Sequence, residues 1–300
     1  MRKFLIRCLL FLLPVVGMLT LMELYMRHLP NSYRQKHEWM ERHADEVEVL
    51  MLGNSHGLFG LRPEYFKSKA YNLCQVSQTL EYDEFLLMHY APSFRRLRDV
   101  LLVVDYSGFF DLPLEQTERF RCTYYRLYMD YPMHSLWSRY GFELTDMSAV
   151  KEKLSNDRML CDSTGWNPAY TVIRRSPDYL SDDCVKSAVE HHRCKDWNVA
   201  AENRRTLQRI AHWCRSRNLR LILLQAPVSR AYYRSLDRRQ LTYLQEGLET
   251  TDAVVADYST DPHFCDADFF DPDHLTDEGA AKWSKMISER FQKRIIKNVE

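Results

Sequence analysis

Three residues of this chain have the types needed to move an acyl group: Ser55, Asp271 and His274. A serine hydroxyl is a weak nucleophile until a base takes its proton, and an imidazole held in one tautomer by a carboxylate is suited to that task. Ser55 sits in the small, turn-competent stretch Gly53-Asn54-Ser55-His56-Gly57. Far downstream, Asp271-Pro272-Asp273-His274 puts carboxylates and an imidazole on one tight loop, and either Asp271 or Asp273 has the reach to orient the ring. His56 competes as a base, but adjacent side chains on a sharp turn diverge, so His274 is the base expected.

Such a site needs a scaffold. The run Val47–Leu52 (VEVLML) is short, apolar and partly β-branched, the pattern of a buried parallel strand, and Gly53 breaks it. Ligands of open α/β sheets bind at the carboxyl ends of the strands, where Ser55 falls. Similar patterns predict strands near 47–52, 70–73, 99–105, 219–225 and 253–257. Helical spacing covers 79–90, 200–218, 230–250 and 277–296, the last opened by Thr276 as cap and by acidic residues. Strands alternating with helices predict an α/β fold, a three-layer, flavodoxin-like parallel sheet with helices on both faces. Gln225 and Pro227 close the fourth strand on the same edge and are expected near substrate.

Residues 111–199 break the rhythm. They are dense in aromatic residues (Tyr124, Tyr125, Tyr128, Tyr131, Trp137, Tyr140, Trp166, Tyr170), carry no strand pattern and read as a helical insertion or lid. Aromatic side chains there fill a small core more often than they stack on sugars. His191 and His192 lack partners at ligand spacing and read as solvated helix residues.

The N-terminus differs again. Phe4–Met22 is almost wholly apolar, just long enough to cross a bilayer, with Arg7 near its start where it can snorkel. No small-x-small cleavage site follows, which favours an uncleaved anchor over a signal peptide. Arg2, Lys3 and Arg7 argue for a cytoplasmic N-terminus and an extracytoplasmic domain, against Arg27, Arg34 and Lys36 on the other side. The expected organisation is an anchor over 1–27, a stalk over 28–46 and an α/β domain over 47–300.

The two motifs together resemble the SGNH/GDSL hydrolase superfamily: GNSHG after a first strand and DPDHLTDEGA near the C-terminus, over roughly residues 45–110 and 200–295. The usual Gly-Asp-Ser stands here as Gly53-Asn54-Ser55, and Asp-x-x-His matches at Asp271 and His274. The resemblance implies Ser55 as nucleophile, His274 as base and Asp271 as its orienting carboxylate. The second block would be residues 71–78, which hold no glycine, and the third 104–108, which hold no asparagine. The oxyanion donors expected are therefore the Ser55 backbone N–H, then Ser77 and Ser107, with Asn54 bonding across loops. These departures match a divergent membrane-anchored branch that includes bacterial cell-surface O-acyltransferases and the D-alanyl transfer protein of teichoic-acid assembly.

Composition narrows the function. Formal net charge is zero, so no global field draws the chain to nucleic acid. Hydrophobic content of 45% and charge of 27% are ordinary for a globular chain. No phosphate-binding glycine loop and no metal-ligand spacing occur among the eight cysteines, so neither cofactor nor metal is expected. Export would allow a disulfide among the middle cysteines. Two functions remain. One is a membrane-anchored serine esterase or O-acyltransferase acting on an acylated envelope glycan or small molecule, with a membrane acyltransferase as partner. The other is a catalytically silent relative that serves glycan binding or polysaccharide assembly.

Overall fold

Five short apolar runs pair edge to edge: β1 (Val49–Leu52), β2 (Ala70–Asn72), β3 (Asp99–Val103), β4 (Arg220–Gln225) and β5 (Val254–Asp257). The computed structural model describes residues 1–132, 141–155 and 160–297. All four pairings are parallel, in the order β2-β1-β3-β4-β5. In register, Met51 lies between Asn72 and Leu101, and Leu102 lies beside Leu223. Every β1 residue is buried, which is why the central strands read as continuous rather than alternating apolar runs.

That order is the flavodoxin-like one, with its switch point between β1 and β3. Because every strand runs the same way, the loops after β1, β3 and β4 open on one edge of the sheet.

Helices flank the sheet within the unit formed by Lys36–Leu114 and Cys161–Glu300. Among them are α3 (Ser55–Gly60), α4 (Leu80–Tyr90), α5 (Tyr106–Phe109), α8 (Asp182–His191) and α9 (Trp197–Ser216). In α9 the buried Ala200, Asn203, Leu207, Ile210, Ala211 and Cys214 recur at helical spacing and give one core-facing stripe. The last helix, α12 (Asp277–Lys297), begins where Thr276 Oγ1 accepts the Gly279 N–H at 3.1 Å, and it buries Trp283 completely.

Two of the differences from the expected boundaries have a side-chain cause. The third strand stops at Val103, because Asp105 turns its carboxylate back to accept the Gly108 N–H at 3.3 Å and so caps α5. The helix expected over 230–250 is two, α10 (Arg230–Ser235) and α11 (Arg238–Glu249). Asp237 makes the break by accepting the N–H groups of Arg239 (2.8 Å) and Gln240 (3.3 Å), so its side chain starts a new helix rather than extending the old one.

Met1–Gln35 and Glu115–Leu160 form the other unit. It contains α1 (Arg2–His28), α6 (Arg119–Met129) and α7 (Met147–Leu154); α2 (Ser32–His43) starts there. Among the described residues one helix, α1, is long and apolar enough to cross a membrane, and none of its most apolar window is buried. Tyr33 packs edge-on against Tyr124 and Tyr125 at 5.3 and 5.0 Å, so these aromatic residues fill a core. Trp137 and Tyr140 lie outside the described residues. Lys153 is wholly buried, and its ammonium donates to both Glu143 oxygens (2.6 Å each), Tyr128 Oη (2.7 Å) and Met26 O (2.8 Å). A buried charge persists only when paired and bonded in this way.

Candidate active site

The loop after β1 is built around Gly53, whose φ is +129° and where a Cβ would lie 2.7 Å from Val103 Cβ. Only glycine fits there. Asn54 follows as the cap of α3, its Oδ1 accepting the His56 N–H at 3.0 Å. Its Nδ2 donates across the switch point to Ser107 Oγ (2.9 Å) and Asp105 Oδ1 (3.3 Å). Gly108 makes room for that amide, since a Cβ there would come within 2.8 Å of Asn54 Nδ2. The loops after β1 and β3 are thus stapled together, and half-buried Ser55 is left facing outward from the staple.

The second loop is held by Asp271. One of its oxygens accepts the N–H groups of Asp273 (3.1 Å) and His274 (2.8 Å), and Phe270 N–H donates to His274 O at 2.8 Å. His274 Nδ1 lies 3.0 Å from both Asp271 oxygens, and its Nε2 lies 2.9 Å from Ser55 Oγ. With the Nδ1 proton donated to Asp271, the Nε2 lone pair faces the serine hydroxyl. That is the geometry of proton abstraction. Asp273 Oδ1 is 3.7 Å from the same nitrogen, beyond hydrogen-bond reach. Phe59 and Tyr170 stand edge-on to the ring at 6.0 and 5.9 Å, and Tyr170 stacks on Phe270 at 3.9 Å, so one wall of the site is aromatic.

Behind this hydroxyl-facing array lies a buried one. His56 Nδ1 donates to Asp105 Oδ2 at 2.6 Å, and its Nε2 donates to Asp273 Oδ2 at 3.2 Å. Burial opposes charge on His56, but Asp105 and Asp273 outweigh it and hold its pKa well above the ordinary imidazole value. Against the same burial, the His56 charge and the bonds from His56, Ser107 and Asn54 pull Asp105 down to about 2. Asp273 also stays well below its usual value despite burial, through His274, His192 and His56. Both ring nitrogens of His56 are thus taken up by carboxylates.

His192 corrects the sequence reading. Rather than being solvated, its ring is largely buried just past the end of α8, where the chain turns inward. Nδ1 lies 3.0 Å from Ser107 O and 3.3 Å from Asp111 Oδ1, and Nε2 lies 3.4 Å from Asp273 Oδ2. Burial is outweighed by Asp111 and Asp273, which push its pKa up to about 10. Nothing in the local sequence marks this residue, because its partners come from 111 and 273. Asp105 does carry a signal: it is the carboxylate that ends the strand expected over 99–105.

Among the remaining expected residues, Ser107 donates to Asp105 Oδ1 at 2.7 Å while accepting from Asn54, so its hydroxyl is engaged inside the staple. Ser77 lies in the turn Gln75–Gln78 with φ +56°. Gln225 is buried and accepts from Gln245 Nε2 at 3.2 Å. Under the loop after β1, burial raises the Asp83 carboxyl to about 8, against bonds from Gln78 and the Gly53 N–H. His56, Asp273 and His274 offer ligand atoms within 4.8 Å of one another, the spacing of a small-ion site, but the same atoms serve the two arrays. All eight cysteines are free thiols.

A protein-family model matches residues 185–296, less than half of the chain. No curated protein matches the sequence. Among solved structures, the chain is similar to a protein provisionally named a platelet activating factor from Streptococcus pneumonia, at 13% identity and TM-score 0.42, over 92% of this chain and 97% of that one. It is also similar to a provisionally named acylhydrolase from Bacteroides fragilis NCTC 9343, at 11% identity and TM-score 0.36, over 87% and 97% of the two chains.

Proposed function

We propose that this protein is a membrane-anchored, SGNH/GDSL-type serine esterase or O-acyltransferase that works through an acyl-serine intermediate on an acylated glycan of the cell envelope. The observation that carries the reading is the 2.9 Å contact of Ser55 Oγ with His274 Nε2, with Asp271 on the far ring nitrogen. The strand order, with Ser55 at the switch point, supports the three-layer hydrolase arrangement.

On this reading Ser55 passes its proton to His274 Nε2 as Oγ attacks the ester carbonyl. The tetrahedral intermediate collapses, the C–O bond to the leaving alkoxide breaks, and His274 returns the proton to that oxygen. An acceptor then gives its proton to His274 and attacks the acyl-serine, freeing the Ser55 hydroxyl. Water as acceptor makes an esterase, and a sugar hydroxyl makes an acyltransferase. In the second case a membrane acyltransferase partner would load the serine. The Ser55 backbone N–H is the first oxyanion donor of the proposal and the Ser77 turn the second, while Asn54 and Ser107 position the two loops. The aromatic wall of Phe59, Tyr170 and Phe270 offers apolar faces to a sugar ring.

The anchor reading is supported by α1 itself, which runs unbroken past the apolar stretch and buries Glu23 and Met26 in its own unit. Cutting α1 away would strip those contacts.

A second reading, a catalytically silent component of polysaccharide assembly, is favoured by one observation: the Asn54 amide and Ser107 hydroxyl are turned inward and bonded to each other. Fluorophosphonate labelling of the full chain in detergent separates the two. The enzyme reading expects covalent labelling that Ser55→Ala abolishes; a folded wild-type chain that takes no label promotes the silent component.

A further inference from the structure

Few large apolar side chains are exposed outside α1. Among the described residues they are Met88, Phe142, Met147, Leu154 and Val172, and three of the five fall within residues 142–154. In α7, Met147 (74% exposed) and Leu154 (63%) are seven residues apart and so share a face, with exposed Lys151 between them. The opposite face carries Ala149 and the buried Lys153. This helix therefore turns apolar residues outward, the reverse of an ordinary surface helix. Phe142 (55% exposed) lies just before it, with the Arg27 guanidinium 5.9 Å from its ring.

The position of this face is fixed by α1. The Glu23 carboxylate accepts the N–H groups of Glu143 (3.2 Å) and Leu144 (3.1 Å), and Lys153 donates to Met26 O at 2.8 Å. Both attachments fall within about 6 Å, along the helix axis, of Met22, where the apolar run ends. Tyr25, also exposed, sits at the same level, where amphipathic rings gather at bilayer surfaces. A patch pinned at that depth meets whatever surrounds α1.

We propose that Phe142, Met147 and Leu154 rest in the interfacial layer of the bilayer that α1 enters, making residues 141–155 a membrane-seated collar around the base of the anchor. The proposal rests on the anchor reading and adds a second, monotopic contact to it. Lys151 extends its ammonium toward the headgroups while its stem covers the apolar face, and anionic lipid favours it.

The test uses the full chain reconstituted in phosphatidylethanolamine–phosphatidylglycerol bilayers, with photo-crosslinking benzoyl-phenylalanine in place of Leu12, Gln116, Phe142, Met147 or Leu154, one at a time. Lipid adducts are expected at 12, 142, 147 and 154 and not at 116, an exposed polar position of the same unit. Adducts at 12 without adducts at 142, 147 and 154 overturn the collar and leave the anchor standing. Their absence at 12 as well removes both. Crosslinks from 147 or 154 to another polypeptide, or adducts at 116 as strong as at 147, also overturn the proposal. The paired variant Met147→Glu with Leu154→Glu keeps the adduct at 12 and loses the one at 142; retention at 142 counts against the collar.

Discussion

Two imidazole–carboxylate arrays meet at the switch point of this sheet, and they differ in what the second ring nitrogen faces. His274 has Asp271 on one side and a serine hydroxyl on the other. His56 has carboxylates on both sides, Asp105 and Asp273, and is buried. A ring between two carboxylates keeps both protons and has no lone pair to lend. A ring between a carboxylate and a hydroxyl has one. Two histidines thus sit with their rings 4.8 Å apart, and only one is arranged to act as a base. The other holds the loops after β1 and β3 and the Asp271–His274 loop in one rigid body.

Removing the His274 ring tests that contrast at its strongest. On the proposed reading His274→Ala lowers ester turnover by on the order of 10⁴ or more, and fluorophosphonate labelling goes with it. In His56→Gln, the molecules that remain folded should still label. Equal loss of labelling in both, with folding intact, would erase the functional difference between the arrays.

Asp271→Asn should come next, at about 10²–10⁴ in turnover, because the amide supports the wrong tautomer of His274 while the loop survives. Asp273→Asn should fall much less in turnover and more in stability, since Asp273 touches His56 and His192 rather than His274. The reverse ranking, read from kcat and from urea melts of the same two proteins, would make Asp273 the orienting carboxylate.

Much of the hydroxyl-facing array was legible in the sequence, and little of the buried one was. Ser55 and His274 are marked by local context: a buried run ending in Gly53, and an Asp-x-x-His loop before a capped helix. The strands were legible because a sheet buried on both faces requires continuous apolar runs. Boundaries failed where a side chain competed with the backbone pattern, as Asp105 does at the end of β3 and Asp237 does between α10 and α11. His192 was invisible because a charged imidazole is tolerated in the interior only through partners distant in the chain. The packing of Tyr33 on Tyr124 is of the same kind: one lies in the expected stalk and the other in the expected insertion, and neither segment names the other.

For stability the ranking of the arrays inverts. His56→Gln leaves Asp105 and Asp273 buried without their cation and should cost about 3–5 kcal/mol, measured by denaturant unfolding. His274→Ala exposes a half-buried loop position and should cost clearly less. A His56 variant as stable as the wild type would show that the carboxylates find water instead.

The smallest effect is the most specific to charge. His192 has a folded pKa of about 10, against roughly 6.5 for an unfolded histidine. Between those values the folded chain holds a proton that the unfolded chain has lost, so stability falls as pH rises. The contribution of His192 is complete below roughly pH 6.5 and gone above about 10, and His56 acts in the same direction. Asp105 works at the other end, its contribution present above roughly pH 3.9 and lost as pH drops toward 2. Unfolding free energy should therefore be highest between about pH 4 and 6.5 as far as these groups decide it. His192→Gln should lower it there by about 1–3 kcal/mol, the cost of leaving Asp111 and Asp273 short of a donor. Near pH 10 the variant and the wild type should converge, because the wild-type ring has by then lost its charge. A gap that stays constant from pH 6 to 10 would mean that His192 contributes through shape alone, and the buried array would then be two rings' packing rather than two rings' charge.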